Sequence, residues 1–290
     1  MRQRKHFLRL ALPLLFGLTL GPACTKQGQE VEERPSSPIP EIPGWQLVWH
    51  DEFEGDRIDP TRWEHEVNAR GGGNNELQYY TARRENAYVQ NGRLVIRALK
   101  ERYTGPEGTR EYTSARLRTK HKGDWRYGRF DIRARLPRGK GLWPAIWMLP
   151  TDNVYGGWAA SGEIDIMELV GDRPNQVFGT LHYGGEYPNN RHSGATFTLP
   201  LSEGTFNDAF HLFTLEWDTT EFRWYVDGFL YQTQNSWYTD NAPYPAPFDQ
   251  RFHLILNVAV GGNLPGNPDA STEFPQVMEV DYVRVYQKVE

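Results

Sequence analysis

Three acidic residues lie close together in the segment Gly162-Glu-Ile-Asp-Ile-Met-Glu168, separated by apolar side chains. This alternation is typical of a β-strand, in which Glu163 and Asp165 share one face. Glu168 is five residues after Glu163, so a regular strand would turn it to the opposite face. A β-bulge at Ile166–Met167 would bring it back, and bulges are frequent beside active sites. We therefore predict a bulged strand that carries all three carboxylates on one face.

Carboxylates crowded on one face are costly unless at least one of them is protonated. Glycoside hydrolysis uses such a pair, because one carboxylate attacks the anomeric carbon and a neutral carboxylic acid protonates the leaving oxygen. A solvated strand is disfavoured because no Lys or Arg adjoins the acids. A calcium site is disfavoured because its many oxygen ligands usually come from a glycine-rich loop. We take Glu163 and Glu168 as the predicted catalytic pair.

A sugar-binding cleft needs aromatic faces for the apolar side of pyranose rings and polar groups for the hydroxyls. Trp143, Trp147 and Trp158 precede the acidic strand, and we expect at least one of them to stack on substrate, although a single tryptophan is more often a core residue. A polar loop suited to hydroxyl recognition contains Asn74, Asn75, Glu76, Gln78 and Tyr79. His182 lies on another expected strand, where a lone histidine is more often a core residue.

The elements that must position these residues are short runs of period two, beginning at Trp45. The clearest predicted strands are Arg93–Leu99, Arg129–Arg135, Phe178–Tyr183, Leu212–Trp217, Phe252–Val260 and Val280–Tyr286. Asp227-Gly228 between Phe222–Val226 and Phe229–Gln232 predicts a tight hairpin. No amphipathic helix of ten or more residues stands out. The pattern predicts one antiparallel β-sandwich with no second domain.

The composition fits a neutral ligand. Aromatic residues make up 13% of the chain, and some of these rings are expected on the surface. The net charge of -5 argues against nucleic acid, whose binding proteins cluster Lys and Arg.

Residues 1–24 have the layout of a secretory signal peptide, with basic residues before an apolar run from Leu10 to Leu20. This run is too short for a spanning helix, which needs about 20 apolar residues. Ordinary cleavage after small residues and lipidation of Cys24 both remain open, so we expect export in a secreted or lipid-anchored form. A proline-rich linker is expected at 25–43, followed by one catalytic domain at 44–290. Cys24 is the single cysteine, so the domain has no internal disulfide.

The chain resembles the laminarinases, endo-β-1,3-glucanases of glycoside hydrolase family 16. The acidic motif with its extra residue is typical of laminarinases, whereas lichenases have the shorter form. Nearly the whole domain takes part, through Trp49–Phe53, Asn74–Thr81, Gly141–Pro150, Gly162–Glu168, Trp224–Gly228 and Val280–Tyr286. The resemblance implies a β-jelly roll with a concave cleft and hydrolysis with retention of anomeric configuration.

The resemblance also implies roles for individual residues. Glu163 would be the nucleophile, Glu168 the acid/base and Asp165 a residue that tunes the pair. Substrate contacts would come from Asn75, Arg116, Trp143, Trp147, Trp158 and His182. No cofactor is implied for the chemistry, but a structural calcium would be held by Glu52, Gly92 and Asp281, the first two chiefly through backbone oxygens. We expect a monomer.

One segment departs from the family pattern. Gly261-Gly-Asn263 is followed by Leu264, where many laminarinases have tryptophan, which puts subsite preference and strict β-1,3 specificity in question. Hydrolysis of mixed-linkage β-1,3-1,4-glucan or of an algal galactan is therefore an alternative. A non-catalytic β-glucan-binding protein is another, although such proteins typically lose the acids that this chain retains.

Overall fold

The structure is a computed structural model that describes residues 39–289. The expected signal segment at 1–24 with Cys24, and the linker up to residue 38, lie outside the described residues. Within residues 39–289, no helix is both long and apolar enough to cross a membrane. The helical elements there are short 3₁₀ turns at Gly71–Gly73 and Leu201–Glu203.

The described residues form eighteen strands. In chain order these are β1 Trp45–Asp51, β2 Glu64–His65, β3 Gln78–Tyr80, β4 Ala87–Val89, β5 Leu94–Gly105, β6 Gly108–Ser114, β7 Arg116–Arg118, β8 Asp124–Trp125, β9 Gly128–Arg135, β10 Leu142–Pro150, β11 Glu163–Glu168, β12 Gln176–Gly184, β13 Asn190–Thr198, β14 His211–Trp217, β15 Phe222–Val226, β16 Phe229–Gln234, β17 Phe252–Val260 and β18 Gln276–Lys288.

The strands form two sheets with a common hydrophobic core. One sheet, here called the cleft sheet, has the order β13-β12-β11-β10-β17-β7-β2, with β8 paired to β17. The other, here called the back sheet, has the order β16-β15-β14-β9-β18-β5-β6-β3, with β1 paired to β18 and β4 to β5. The core includes Ile132 and Phe213 of the back sheet and Ile146 and Leu256 of the cleft sheet. The all-β sandwich expected from the sequence is confirmed.

Among the strands of residues 39–289, one pair is parallel and the other pairs are antiparallel. Strands β3 and β6 pair in parallel, which the alternation of side chains could not reveal. The hairpin at Asp227-Gly228 is confirmed, since both residues have the positive φ angles, 49° and 82°, that a primed turn requires.

Strand β10 explains how the sheet serves both the core and the cleft. Leu142, Ile146 and Met148 are fully buried in the core, whereas Trp143 and Trp147 lie on the opposite face and line a cleft. Because side chains alternate along a strand, this one segment anchors the sandwich and supplies two aromatic rings to the open face.

Candidate active site

The acidic strand β11 contains the expected bulge. Asp165 and Glu168 lie opposite Thr180 and Phe178 of β12, so three steps along β11 match two steps along β12. The pairing with β10 shifts at the same point. The extra residue restores the parity of the strand, and the side chains of Glu163, Asp165 and Glu168 all line the cleft.

The bulge is held from behind by the back sheet. The Nε1 of Trp224, a fully buried residue of β15, donates a hydrogen bond of 2.9 Å to the main-chain oxygen of Asp165. Gly179 of β12 makes this approach possible, because a Cβ at that position would lie 2.4 Å from the Trp224 ring. The core therefore fixes the backbone from which the acids project.

Glu163 has an aromatic hydrogen-bond donor. The Nε1 of Trp158 donates to Oε2 of Glu163 at 2.8 Å, and Trp158 is itself 40% exposed beside the cleft. His182 lies directly opposite Glu163 on β12, with its Nε2 3.6 Å from Oε1 of the carboxylate. These groups favour a negative charge on Glu163.

Asp165 is the most enclosed of the acids, with 2% of its surface exposed. The Nε2 of His182 lies 3.2 Å from its Oδ2, although the two groups are not aligned as a hydrogen bond. His182 therefore stands between Glu163 and Asp165 and lies close to both carboxylates.

Glu168 is linked to the first tryptophan of β10. The Nε1 of Trp143 donates to Oε1 of Glu168 at 2.8 Å, and the two residues lie on adjacent strands. Both outer acids are thus oriented by an indole N–H, Glu163 from Trp158 and Glu168 from Trp143.

The environment raises the pKa values of all three acids. Burial is the main cause for each, and the negative charge of Asp165 adds to the effect on Glu163 and Glu168. The pKa of each acid is raised to about 8. Because removal from water disfavours the charged form, the three groups cannot all be ionised at neutral pH. Such a site retains a proton donor at neutral pH.

The second tryptophan of β10 is held on its edge and on its face. The Nε1 of Trp147 donates to Oδ1 of Asn257 at 2.7 Å. The guanidinium carbon of Arg116 lies 4.6 Å from the centre of the Trp147 ring, and Nε of Arg116 is 2.7 Å from a carboxylate oxygen of Glu66. Arg116 and Trp147 both line the cleft.

Asn75 differs in detail from the expectation. Its neighbours Asn74 and Glu76 line the cleft, whereas its own Nδ2 donates to Oδ1 of Asn263 at 2.9 Å. Asn75 is exposed and has a φ of 59°, a left-handed conformation that asparagine tolerates. In this structure Asn75 therefore ties two loops together.

Several cleft residues were not foreseen from the sequence. Asn257, Glu66 and Tyr187 line the cleft, and Tyr187 is 77% exposed. Asn257 left a usable signal, because it is a polar residue within the apolar run of β17, where a buried amide needs a partner. Tyr187 and Glu66 lie in irregular or very short segments, where no periodicity marks them.

Among the described residues, Glu163, Asp165 and His182 also place three possible metal ligands within 4.8 Å of one another.

The positions expected for calcium lie at the ends of β1 and β5 and within β18. Strand β5 pairs with β18 up to Val280, and β1 pairs with β18 from Val283 onward. Glu52 follows β1 and Gly92 precedes β5, so both flank the short gap that contains Asp281. The carboxylates are engaged by arginines, since Arg284 bonds Glu52 at 2.8 Å and Arg133 bonds Asp281 at 2.6 Å. Asp281 would have to share its carboxylate with Arg133 in order to bind a cation here.

Comparisons with a family model, with related sequences and with solved structures all point to the same family. The family described as Glycosyl hydrolases family 16 matches residues 74–284. A beta-glucanase of Rhodothermus marinus is 49% identical over 301 residues, which cover 100% of this chain and 98% of that protein. Glucan endo-1,3-beta-glucosidase A1 of Niallia circulans is 45% identical over 266 residues, 86% of this chain but 39% of that longer protein. The laminarinase catalytic domain of Thermotoga maritima has a TM-score of 0.77 at 44% identity, covering 85% of this chain and 99% of that chain.

Proposed function

Because this chain belongs to family 16 of the glycosyl hydrolases, we propose that it cleaves internal β-1,3 linkages of a glucan such as laminarin, with retention of anomeric configuration. The observation that carries the proposal is the bulged strand β11, whose three carboxylates line one cleft. The names of the relatives from Niallia circulans and Cryptopygus antarcticus, both glucan endo-1,3-beta-glucosidases, support the β-1,3 linkage.

The first step is attack by Glu163 on the anomeric carbon. The Trp158 N–H and the nearby imidazole of His182 hold the negative charge at this end of the site. Glu168 carries a proton, because burial and Asp165 raise its pKa. As the Glu163 oxygen bonds to the anomeric carbon, the glycosidic bond breaks and Glu168 transfers its proton to the departing sugar oxygen.

The second step returns the enzyme to its starting state. Glu168 has lost its proton and now acts as a base toward a water molecule. The water oxygen bonds to the anomeric carbon, the bond to Glu163 breaks, and the proton returns to Glu168. Two inversions give net retention.

Asp165 and His182 support this exchange without forming a covalent bond to the sugar. When Glu163 becomes an ester in the first step, it loses its charge while Glu168 gains one. Asp165 interacts electrostatically with both glutamates, and His182 lies close to Glu163 and Asp165. Asp165 and His182 can therefore compensate as the negative charge moves from Glu163 to Glu168. We assign Asp165 the role of tuning the two glutamates.

The cleft favours cleavage within a chain. Its lining runs across the cleft sheet from Tyr187, beyond β11, to Glu66, beside β2, and encloses about 770 Å³. A polysaccharide can lie across several strands in such a groove, with Trp143 and Trp147 on β10 as aromatic surfaces. Leu264 is 48% exposed, so the position where many laminarinases carry tryptophan offers a smaller apolar surface.

Product sizes test this proposal. The purified protein should release a ladder of oligosaccharides early in the digestion of laminarin. Mixed-linkage β-glucan should be cut more slowly and agarose should be left intact. Faster cleavage of mixed-linkage glucan or of a galactan would move the substrate assignment to that polymer. Tight binding without any soluble product would favour a β-glucan-binding protein, for which Glu163→Gln should leave the result unchanged.

A structural calcium is a further part of the proposal. Glu52 and Gly92 would contribute backbone oxygens and Asp281 a side-chain oxygen, as the gap in the pairing of β18 permits. A cation there would neutralise charge and tie the ends of β1 and β5 to β18. It would stabilise the fold and take no part in the chemistry.

Export and assembly complete the proposal. We propose that residues 1–24 direct export and that the mature protein is a monomer, either secreted or lipid-anchored at Cys24. The basic and apolar pattern before Cys24 supports export. Mass spectrometry of the mature protein would distinguish the two forms, because lipidation adds mass at Cys24 and a Cys24→Ala variant would lose it.

A further inference from the structure

Trp147 is oriented away from the catalytic acids. Its neighbour on the same face of β10, Trp143, directs its N–H to Glu168 on β11. The N–H of Trp147 points to the other side of β10, where Asn257 of β17 accepts it at 2.7 Å. The edge of the Trp147 ring is therefore fixed by a residue that does not belong to the acidic strand.

Asn257 is itself held by a buried hydrogen bond. Its Nδ2 donates to the hydroxyl of Tyr80 at 3.1 Å, and this hydroxyl donates to Oε2 of Glu76 at 3.3 Å. The Nε2 of Gln78 donates to the same oxygen at 2.6 Å. The exposed fractions of Glu76, Gln78, Tyr80 and Asn257 are 8%, 1%, 2% and 5%. Because these side chains are buried, their polar atoms need hydrogen-bond partners within the protein.

The hydrogen bonds that link Trp147 to Asn257, Tyr80 and Glu76 all run in one direction, with each residue donating to the next. Glu76 as a carboxylate can only accept, so Tyr80 must donate to it and can accept from Asn257. This fixes the amide of Asn257 with its oxygen toward Trp147. Burial and the charge of Glu76 raise the pKa of Tyr80 well above its usual value, so its hydroxyl keeps its proton.

The Glu76 end of this series of hydrogen bonds is attached to the backbone at the end of β17. Oε1 of Gln78 accepts from Val260 N at 2.8 Å, and Leu77 N donates to the Val260 oxygen at 2.7 Å. Glu76 lies against Gly72, where a Cβ would be 2.1 Å from Oε1 of the carboxylate. The glycine turn and the end of β17 therefore hold Glu76 in one place.

We infer that Glu76, Tyr80 and Asn257 are positioning residues that set the orientation of Trp147 for sugar binding. The inference rests on the proposed function, since it takes Trp147 as a substrate contact. Arg116 covers one face of the Trp147 ring, and the hydrogen bond from Trp147 Nε1 to Asn257 restrains rotation of the Trp147 side chain. Together they leave one defined aromatic surface for the glucan. The hydrogen-bond chain also connects that surface to the Asn74–Glu76 loop in the same cleft.

A pair of tyrosine variants tests this inference. Tyr80→Phe removes the central hydroxyl and keeps the ring. Tyr79→Phe is the matched control, because Tyr79 is also buried in β3 but its hydroxyl accepts from Glu107 N, outside the chain. Loss of one orienting hydrogen bond should raise KM for laminarin oligosaccharides roughly fivefold in Tyr80→Phe with little change in kcat. Tyr79→Phe should keep the native KM.

The indole N–H signal of Trp147 provides a readout that needs no substrate. Trp147→Phe assigns this signal in a ¹⁵N NMR spectrum. Tyr80→Phe should shift or broaden it, whereas Tyr79→Phe should leave it in place. An unchanged signal and KM in a folded Tyr80→Phe protein would overturn the inference. A shifted signal in a protein that does not cleave laminarin would support the hydrogen-bond chain and count against the proposed function.

A second pair of variants covers the case in which Tyr80→Phe fails to fold. Glu76→Gln keeps an oxygen that can accept from Tyr80, so the Trp147 signal should stay near its native position. Glu76→Leu removes the acceptor, so the signal should move and the KM should rise. The same result for both variants would contradict a role for the acceptor oxygen.

Discussion

The two glutamates of the cleft share one strand face but have different neighbours. Glu163 receives the N–H of Trp158 and lies near His182, whereas Glu168 receives the N–H of Trp143. Burial raises the pKa values of both glutamates to about 8, and the charge of His182 lowers both. The approach of the imidazole to within 3.6 Å of Glu163 is the asymmetry that supports Glu163 as the nucleophile.

The pH dependence of cleavage should report the proton on Glu168. Its pKa is raised from the usual range to about 8, so kcat/KM on laminarin should fall as pH rises through that value. The Trp143 hydrogen bond stabilises the charged form and lowers the pKa. Trp143→Phe should therefore move the alkaline limb to higher pH, whatever its effect on KM. A limb that stayed in place or moved to lower pH would argue against Glu168 as the acid.

The sequence predicted which residues lie in the cleft better than it predicted the hydrogen bonds that they form. The spacing of the acids predicted the bulge, and Trp143, Trp147, Trp158 and Arg116 all line the cleft. The hydrogen bonds from Trp143 and Trp158 depend on side-chain rotation, which spacing does not encode. Asn75 illustrates the same limit, because its amide bonds to Asn263, far along the chain.

The acidic strand depends on a contact between the two sheets. Trp224 donates to the main-chain oxygen of Asp165 at the bulge, where the extra residue interrupts regular pairing. The sequence predicted both β15 and β11, but not that a tryptophan of one would support the backbone of the other. Such a long-range contact depends on how the sheets stack, and alternation within each strand carries no information about it.

Trp224→Phe should therefore damage both stability and catalysis. It leaves the Asp165 oxygen without its donor, which should cost about 1–3 kcal/mol beyond the loss of ring volume. The acids should lose alignment, so kcat should fall more than KM rises. Trp217→Phe is the control, because Trp217 is an equally buried residue of the neighbouring strand β14 whose Nε1 has no hydrogen-bond partner among the described residues. Equal losses in unfolding free energy and kcat would refute the supporting role of Trp224.

The sandwich as a whole was predictable because the period of two persists along the domain. Strand β17 has the bounds that the sequence suggested, and β18 extends beyond them at both ends. The parallel pairing of β3 and β6 was not predictable, because side-chain alternation is the same for either direction. The order of strands in each sheet likewise depends on long-range pairing.

Calcium should act on the stability of the whole domain. Free calcium at about 100 times its dissociation constant would add roughly 2.7 kcal/mol to the free energy of unfolding and raise Tm. Asp281→Asn should reduce this gain, whereas Asp269→Asn, at an exposed loop, should not. Activity measured well below Tm should be the same with calcium or chelator. If a chelator abolished activity while the fold remained intact, calcium would belong to the chemistry.

The roles of Glu163 and Glu168 can be separated by azide rescue on an aryl β-glucoside oligosaccharide with a good leaving group. Glu163→Ala lacks the attacking group, so cleavage should be slow, and azide entering from the vacated face should give the α-glycosyl azide. Glu168→Ala keeps the nucleophile, so a leaving group that needs no proton should depart and the covalent intermediate should accumulate. Azide should then release the β-glycosyl azide. The opposite pair of products would exchange the two assignments, and near-native cleavage of laminarin by both variants would show that the catalytic site lies elsewhere.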